Sequence, residues 1–146
     1  MQSGLLIDIN PLVLYVVGSV NPEGIETFKP TSQYLRTDFD LLKRVVQNAR
    51  QLYSVPHVFA EVSNLTDLND RERQAAREVL KDNIRIIQEV VIGSLEGCED
   101  SAFVDLGLTD AVIAIAARRT NLYLLLSRTG VEVYDFVYLR AAEYGS

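Results

Sequence analysis

At 146 residues, 48% hydrophobic and 23% charged, the chain has the size and composition of one domain spanning 1–146, large enough for a real core. Its formal charge of −6 excludes a nucleic-acid binder that works through bulk positive charge. The single Cys98 excludes an internal disulfide and leads us to expect a reducing, cytoplasmic setting; with the single His57 it also excludes an ordinary Cys/His zinc site.

The segment from Gly4 to Ile9 is short and apolar and runs into a turn signal, so it predicts a buried strand. Pro11 suits the first turn of a helix, where its missing N–H costs nothing, and that helix is expected to reach about Gly18. The apolar run Leu12 to Val17 is far shorter than the roughly 20 residues of a membrane span. No basic leader precedes it, so neither a signal peptide nor membrane association is expected. Asn21 to Tyr34 holds two prolines and Gly24 and predicts the longest loop. Thr37 with Asp40 resembles a capping box. Phe39, Leu42, Val45, Val46, Ala49 and Leu52 then recur at helical spacing to about Tyr53.

Tyr53 to Val55 predicts a short strand, and Pro56 to Leu65 a helix opening at proline. Asp70 to Ile92 carries the longest helical pattern. Gly93 to Gly97 predicts a loop, Asp100 to Val104 a short helix, and Leu108 to Arg118 a helix apolar on most sides and therefore buried. Val131 to Phe136 predicts a strand, followed by a short tail. Strands alternating with helices predict an α/β fold with a mainly parallel sheet, whose site lies outside the carboxyl ends of the strands.

Three carboxylates stand in distinctive settings. Asp8 ends the run Leu5-Leu6-Ile7-Asp8, Glu61 lies on the otherwise apolar helix after Pro56, and Asp110 follows Leu106-Gly107-Leu108-Thr109. If the fold gathers them, they form an all-oxygen site for a hard cation, Mg²⁺ or Mn²⁺, able to activate a water against a phosphodiester. Each also has a plainer reading. Asp8 and Asn10 could cap the next helix, Glu61 could reach solvent or a neighbouring Asn64, and Asp110 could complement a helix dipole.

The ordered set resembles the PIN-domain family of metal-dependent ribonucleases. Asp8-Ile9-Asn10 is similar to that family's first-strand signature, Glu61 to its helical acid after a proline turn, and Leu106-Gly107-Leu108-Thr109-Asp110 to its third acidic motif. The resemblance covers nearly the whole chain and implies a three-layer α/β domain, a mainly parallel central sheet flanked by helices. It implies an endoribonuclease in which Asp8, Glu61 and Asp110 are the catalytic metal ligands for Mg²⁺ or Mn²⁺ and RNA is the substrate. Many small members are toxins held by an antitoxin protein, and many are homo-oligomers.

The family usually carries a further acid after a fourth strand, and here the chain departs from the pattern. In one alignment Leu122 to Arg128 is a helix and Asn121 stands nearest the missing position. In the other, Leu122 to Leu126 is the strand and Ser127 takes the acidic place. Asn10, Asn121 and Ser127 are therefore auxiliary candidates, with Asp105 as a possible extra ligand. The missing acid also admits a second reading, a module that keeps the fold and has lost the chemistry. A third, an unrelated flavodoxin-like domain, would lack any glycine-rich phosphate loop. Arg73, Arg77, Lys81 and Arg85, four apart, could track an RNA backbone but more simply form a solvated face paired with Glu72, Glu78, Asp82 and Glu89. Arg118 and Arg119 suit a helix C-terminus or a phosphate. His57, Ser54, Ser63 and Cys98 have no triad context, which argues against a covalent hydrolase.

Overall fold

The structure is a computed structural model and describes residues 4–127 and 136–139. Strand β1 (Leu5–Ile7) leads directly into helix α1 (Ile9–Val20). Short 3₁₀ turns at Pro22–Gly24 and Lys29–Thr31 occupy the expected loop. Helix α2 (Arg36–Asn48), strand β2 (Leu52–Ser54), helices α3 (Pro56–Leu65) and α4 (Asp70–Ile86) and strand β3 (Gln88–Glu89) follow. Helices α5 (Ser94–Glu99), α6 (Phe103–Leu106) and α7 (Leu108–Thr120) lead to strands β4 (Tyr123–Ser127) and β5 (Phe136–Leu139).

The sheet order is β3-β2-β1-β4-β5, with β5 alone antiparallel. This is a mainly parallel α/β sheet, and its order differs from the 2-1-3-4-5 of flavodoxin-like sheets. Steps β1 to β2 to β3 run one way across the sheet, and β3 to β4 returns past β1. Right-handed crossovers then put α1–α4 on one face and α5–α7 on the other. The packing agrees: α1 meets α2, α3 and α4, whereas α7 meets α5 and α6. Leu5, Leu6 and Ile7 are each wholly buried, as expected of a central strand covered on both faces. Ala111 to Ala117 are seven consecutive buried residues, so α7 is covered on all sides.

Several boundaries differ from the sequence expectation. Helix α1 starts at Ile9, because Asp8 is its N-cap, and runs on to Val20. Asn10 is therefore an exposed first-turn residue and not the cap. At α2 the box uses Asp38 and not Asp40. Leu35 has no side-chain acceptor, so only half of the box exists, the Leu35 N–H donating to the buried Asp38 carboxylate at 2.7 Å. The long helical pattern breaks at Ile87, where the chain turns extended and pairs with β2. Ile87 and Ile92 are buried there, and a β-branched run suits a strand better than a helix. The expected loop 93–97 is instead the start of α5, which packs on α7. The short helix expected over Asp100 to Val104 begins later, at Phe103. Most of the predicted strand Val131 to Phe136 lies outside the described residues, as does the tail beyond Leu139.

At Gly18 helix α1 packs against Phe39 of α2. A Cβ there would meet three ring atoms of Phe39 at 2.3–2.6 Å, and Phe39 is only 4% exposed, so the ring has nowhere to go. Gly18→Ala is expected to destabilise the fold by about 1–3 kcal/mol in urea melts, although alanine is the better helix former by about 1 kcal/mol. A stabilised variant would contradict this packing.

Candidate functional site

Asp8 follows the last residue of β1, at the point where the strand order reverses between β1 and β4. In open α/β sheets this is where a crevice opens outside the strand ends. The backbone at Asp8 is extended (φ −91°, ψ −177°), and its Oδ1 accepts from the Ile9 N–H at 2.7 Å. Ser54, buried at the end of β2, donates to the Ile7 carbonyl at 2.9 Å and ties the two strand ends together just before Asp8.

The other two acids reach the same edge by topology. Helix α3 leaves β2 at Pro56 after a single extended residue, Val55, so its first turns rise from that edge. Glu61 lies in its second turn and is exposed, while Val58, Phe59 and Val62 are buried. Helix α7 ends just before β4 begins, so its N-terminus lies back at the carboxyl edge of the sheet. Gly107, with φ +88°, makes the turn into α7, a conformation few side chains adopt, and Asp110 is the helix's third residue. Thr109, next to Asp110, donates its hydroxyl proton to Glu61 Oε2 and joins α7 to α3.

Asp8 feels the charges of the other two acids. Enclosure by protein pushes the Asp8 carboxyl up from 3.8 to about 6, against the pull of the Ile9 N–H, and the charges of Asp110 and Glu61 add to the rise. Electrostatic coupling reaches further than ligation, however. Among the described residues no three His, Cys, Asp or Glu side chains are drawn close enough to hold a metal ion together. The chemistry of the donor set still suits a hard cation: three carboxylates, one enclosed and mutually repelled, with no nitrogen or sulfur among them. Bringing them onto one cation requires side-chain movement.

The auxiliary candidates separate cleanly. Strand β4 spans Tyr123–Ser127, so the helix alternative for Leu122 to Arg128 does not form. Ile7 pairs with Leu125, which places Ser127 at the same end of the sheet as Asp8. Asn121 caps α7 with φ +56° at the opposite, amino end of β4, and is removed from the site. Asn10 is exposed in the first turn of α1, and Asp105 is exposed on α6.

The basic residues are engaged elsewhere. Arg73 pairs with Asp67 and Asp70, Arg77 with Asp67 and the Ser63 carbonyl, and Arg85 with Asp82. Most of these partners are not the acids that spacing suggested, but the solvated paired face is what α4 presents. Arg118 pairs with Asp100, and Arg119 with Glu96 on α5. The Ala102 N–H, with Arg118, holds the Asp100 carboxyl below its usual range. His57 Nε2 lies 2.9 Å from Ser94 Oγ, while its Nδ1 is buried without a partner among the described residues.

Sequence reasoning missed the Ser54 tie and the Thr109–Glu61 bridge. Ser54 gave no signal, since its partner is a backbone carbonyl 47 residues away. Thr109 did carry one, as a hydroxyl residue directly before the acid that opens a buried helix. Among the described residues no helix is long and apolar enough to cross a membrane. No protein-family model matches the chain, and no curated protein matches its sequence.

Proposed function

We propose that the chain is a PIN-like, Mg²⁺- or Mn²⁺-dependent endoribonuclease, with Asp8, Glu61 and Asp110 as the cation's ligands. The observation that supports this reading is that the end of β1, the second turn of α3 and the first turn of α7 bring three acids to the carboxyl edge of a parallel sheet, near enough for Asp110 and Glu61 to raise the Asp8 carboxyl. The bound cation would supply an acidified water and offset charge on a phosphodiester. Asp8, which caps α1 by accepting from the Ile9 N–H and stands at a strand end, is the rigid member of the set. Glu61 closes on the site from α3, and Asp110 sits where the first turn of α7 favours negative charge. No side-chain nucleophile is needed, and the His57–Ser94 contact has no third group orienting the imidazole from Nδ1 among the described residues, as a covalent triad would require.

In this reading RNA is the substrate, the setting is cytoplasmic, and the chain acts as the toxin of a pair, restrained by a small protein partner and working as a homo-oligomer. Its net charge of −6 disfavours tight non-specific RNA binding, so substrate choice would rest on local contacts. A second reading is favoured by Ser127, which stands at the strand end where a fourth acid would add charge. The chain would then be an interaction module without chemistry.

Labelled single-stranded and hairpin RNAs incubated with Mn²⁺ discriminate between the two. The nuclease reading expects cleavage that stops in EDTA and in Asp110→Asn, with products free of 2′,3′-cyclic phosphate because water is the nucleophile. Cleavage that survives both controls comes from another enzyme. Intact RNA with every substrate, together with no Mn²⁺ binding, leaves the interaction module.

A further inference from the structure

The Thr109 hydroxyl has one acceptor, Glu61 Oε2, and so links the exposed acid of α3 to the first turn of α7 beside Asp110. An ionised carboxylate can accept at both oxygens. Among the described residues Glu61 takes no second hydrogen bond, so one oxygen is held and the other is left for a ligand. Glu61 is a long, exposed side chain, and unheld it would lose its rotamer freedom on binding a cation. Thr109 is β-branched and set in a helix, so its hydroxyl is confined to few χ1 positions, one of which reaches Glu61. Its neighbour in sequence is itself one of the three acids, so the bridge fixes Glu61 relative to Asp110.

We propose that Thr109 is a positioning residue that holds the Glu61 carboxylate beside Asp110 so that the two engage one divalent cation together. This rests on the reading of the three acids as a cation site. It assigns to Thr109 the task that outer hydrogen-bond partners perform for ligating side chains, whose removal typically costs about 10–100-fold in metal affinity.

Calorimetric titration of Mn²⁺ into the full chain tests this without any substrate. Thr109→Val and Thr109→Ala are expected to weaken binding by about 10-fold or more, while Thr109→Ser, which keeps the hydroxyl, stays within about 2-fold of the native chain. Metal-free unfolding midpoints serve as the control for folding, and the alanine variant replaces the valine one if valine is poorly tolerated. Native-like affinity in a folded hydroxyl-less variant, or an equal loss in Thr109→Ser, overturns the proposal. If the native chain binds Mn²⁺ and Asp110→Asn does not, such a result removes the role of Thr109 alone. If the native chain binds no Mn²⁺, the cation site falls as well.

Discussion

Asp8→Asn is expected to make the metal-free protein more stable at pH 7 while eliminating the proposed nuclease activity. The unfolded carboxyl loses its proton near pH 3.8 and the folded one near pH 6. Between those values the folded state holds the extra proton, so stability falls as pH rises, and above about pH 6 the full cost is in place. A displacement of that size corresponds to about 3 kcal/mol against the charged form. Asparagine removes the charge, fits the same space and caps helices about as well as aspartate. Urea melts in EDTA should therefore show a gain of about 2–3 kcal/mol at pH 7 that vanishes below about pH 4. A loss of stability at pH 7 would show that the carboxylate is held by favourable contacts and not strained. Cation stabilisation of a phosphodiester transition state is worth several kcal/mol, so RNA cleavage should drop by about 1,000-fold or more. Stabilisation on removing an enclosed charge, coupled to loss of the proposed activity, would mark a site kept at a cost to the fold.

Ser127→Asp is expected to act in the opposite direction. The register of β4 against β1 puts position 127 at the same end of the sheet as Asp8, where the proposed reading would have a carboxylate add a fourth negative charge. Affinity at all-oxygen sites varies over decades with ligand charge, and one more acid is expected to tighten Mn²⁺ binding by about 10–100-fold. Without metal, the same substitution should raise the Asp8 carboxyl further and lower stability at neutral pH. Calorimetry reads the first effect and urea melts in EDTA the second. Unchanged affinity together with unchanged metal-free stability would place position 127 outside the site.

The alternation of strands and helices was readable from hydrophobic period, and α3 was read to both ends because Pro56 marks its start and Leu65 its last turn. Asp8 and Asp110 could be singled out because each breaks an apolar pattern next to a strand end or a helix start, and Glu61 because it interrupts an otherwise apolar helix. What the sequence withheld was set by tertiary contacts. Strand β3 is two residues long and hides at the end of a helical pattern, and only pairing with Tyr53 and Ser54 identifies it. Helix α5 contains two glycines within or beside its first turns, which read as a loop until it packs against α7. The choice between Asn121 and Ser127 could not be made from spacing, because it depends on where β4 starts. The register Leu5 with Tyr123 makes that choice, sending Asn121 to one end of the sheet and Ser127 to the other. The distance between the three acids was beyond sequence altogether. Topology brings them to one edge, but only side-chain geometry says how closely they approach.

The most direct measurement is anomalous diffraction from crystals of the chain soaked in Mn²⁺. The account predicts an anomalous peak lying between the carboxylates of Asp8, Glu61 and Asp110, with oxygen ligands near 2.1–2.2 Å, on the order of those at other small hard cations. Crystals that take up Mn²⁺ elsewhere, or that show no peak at those three residues in saturating Mn²⁺, would contradict it.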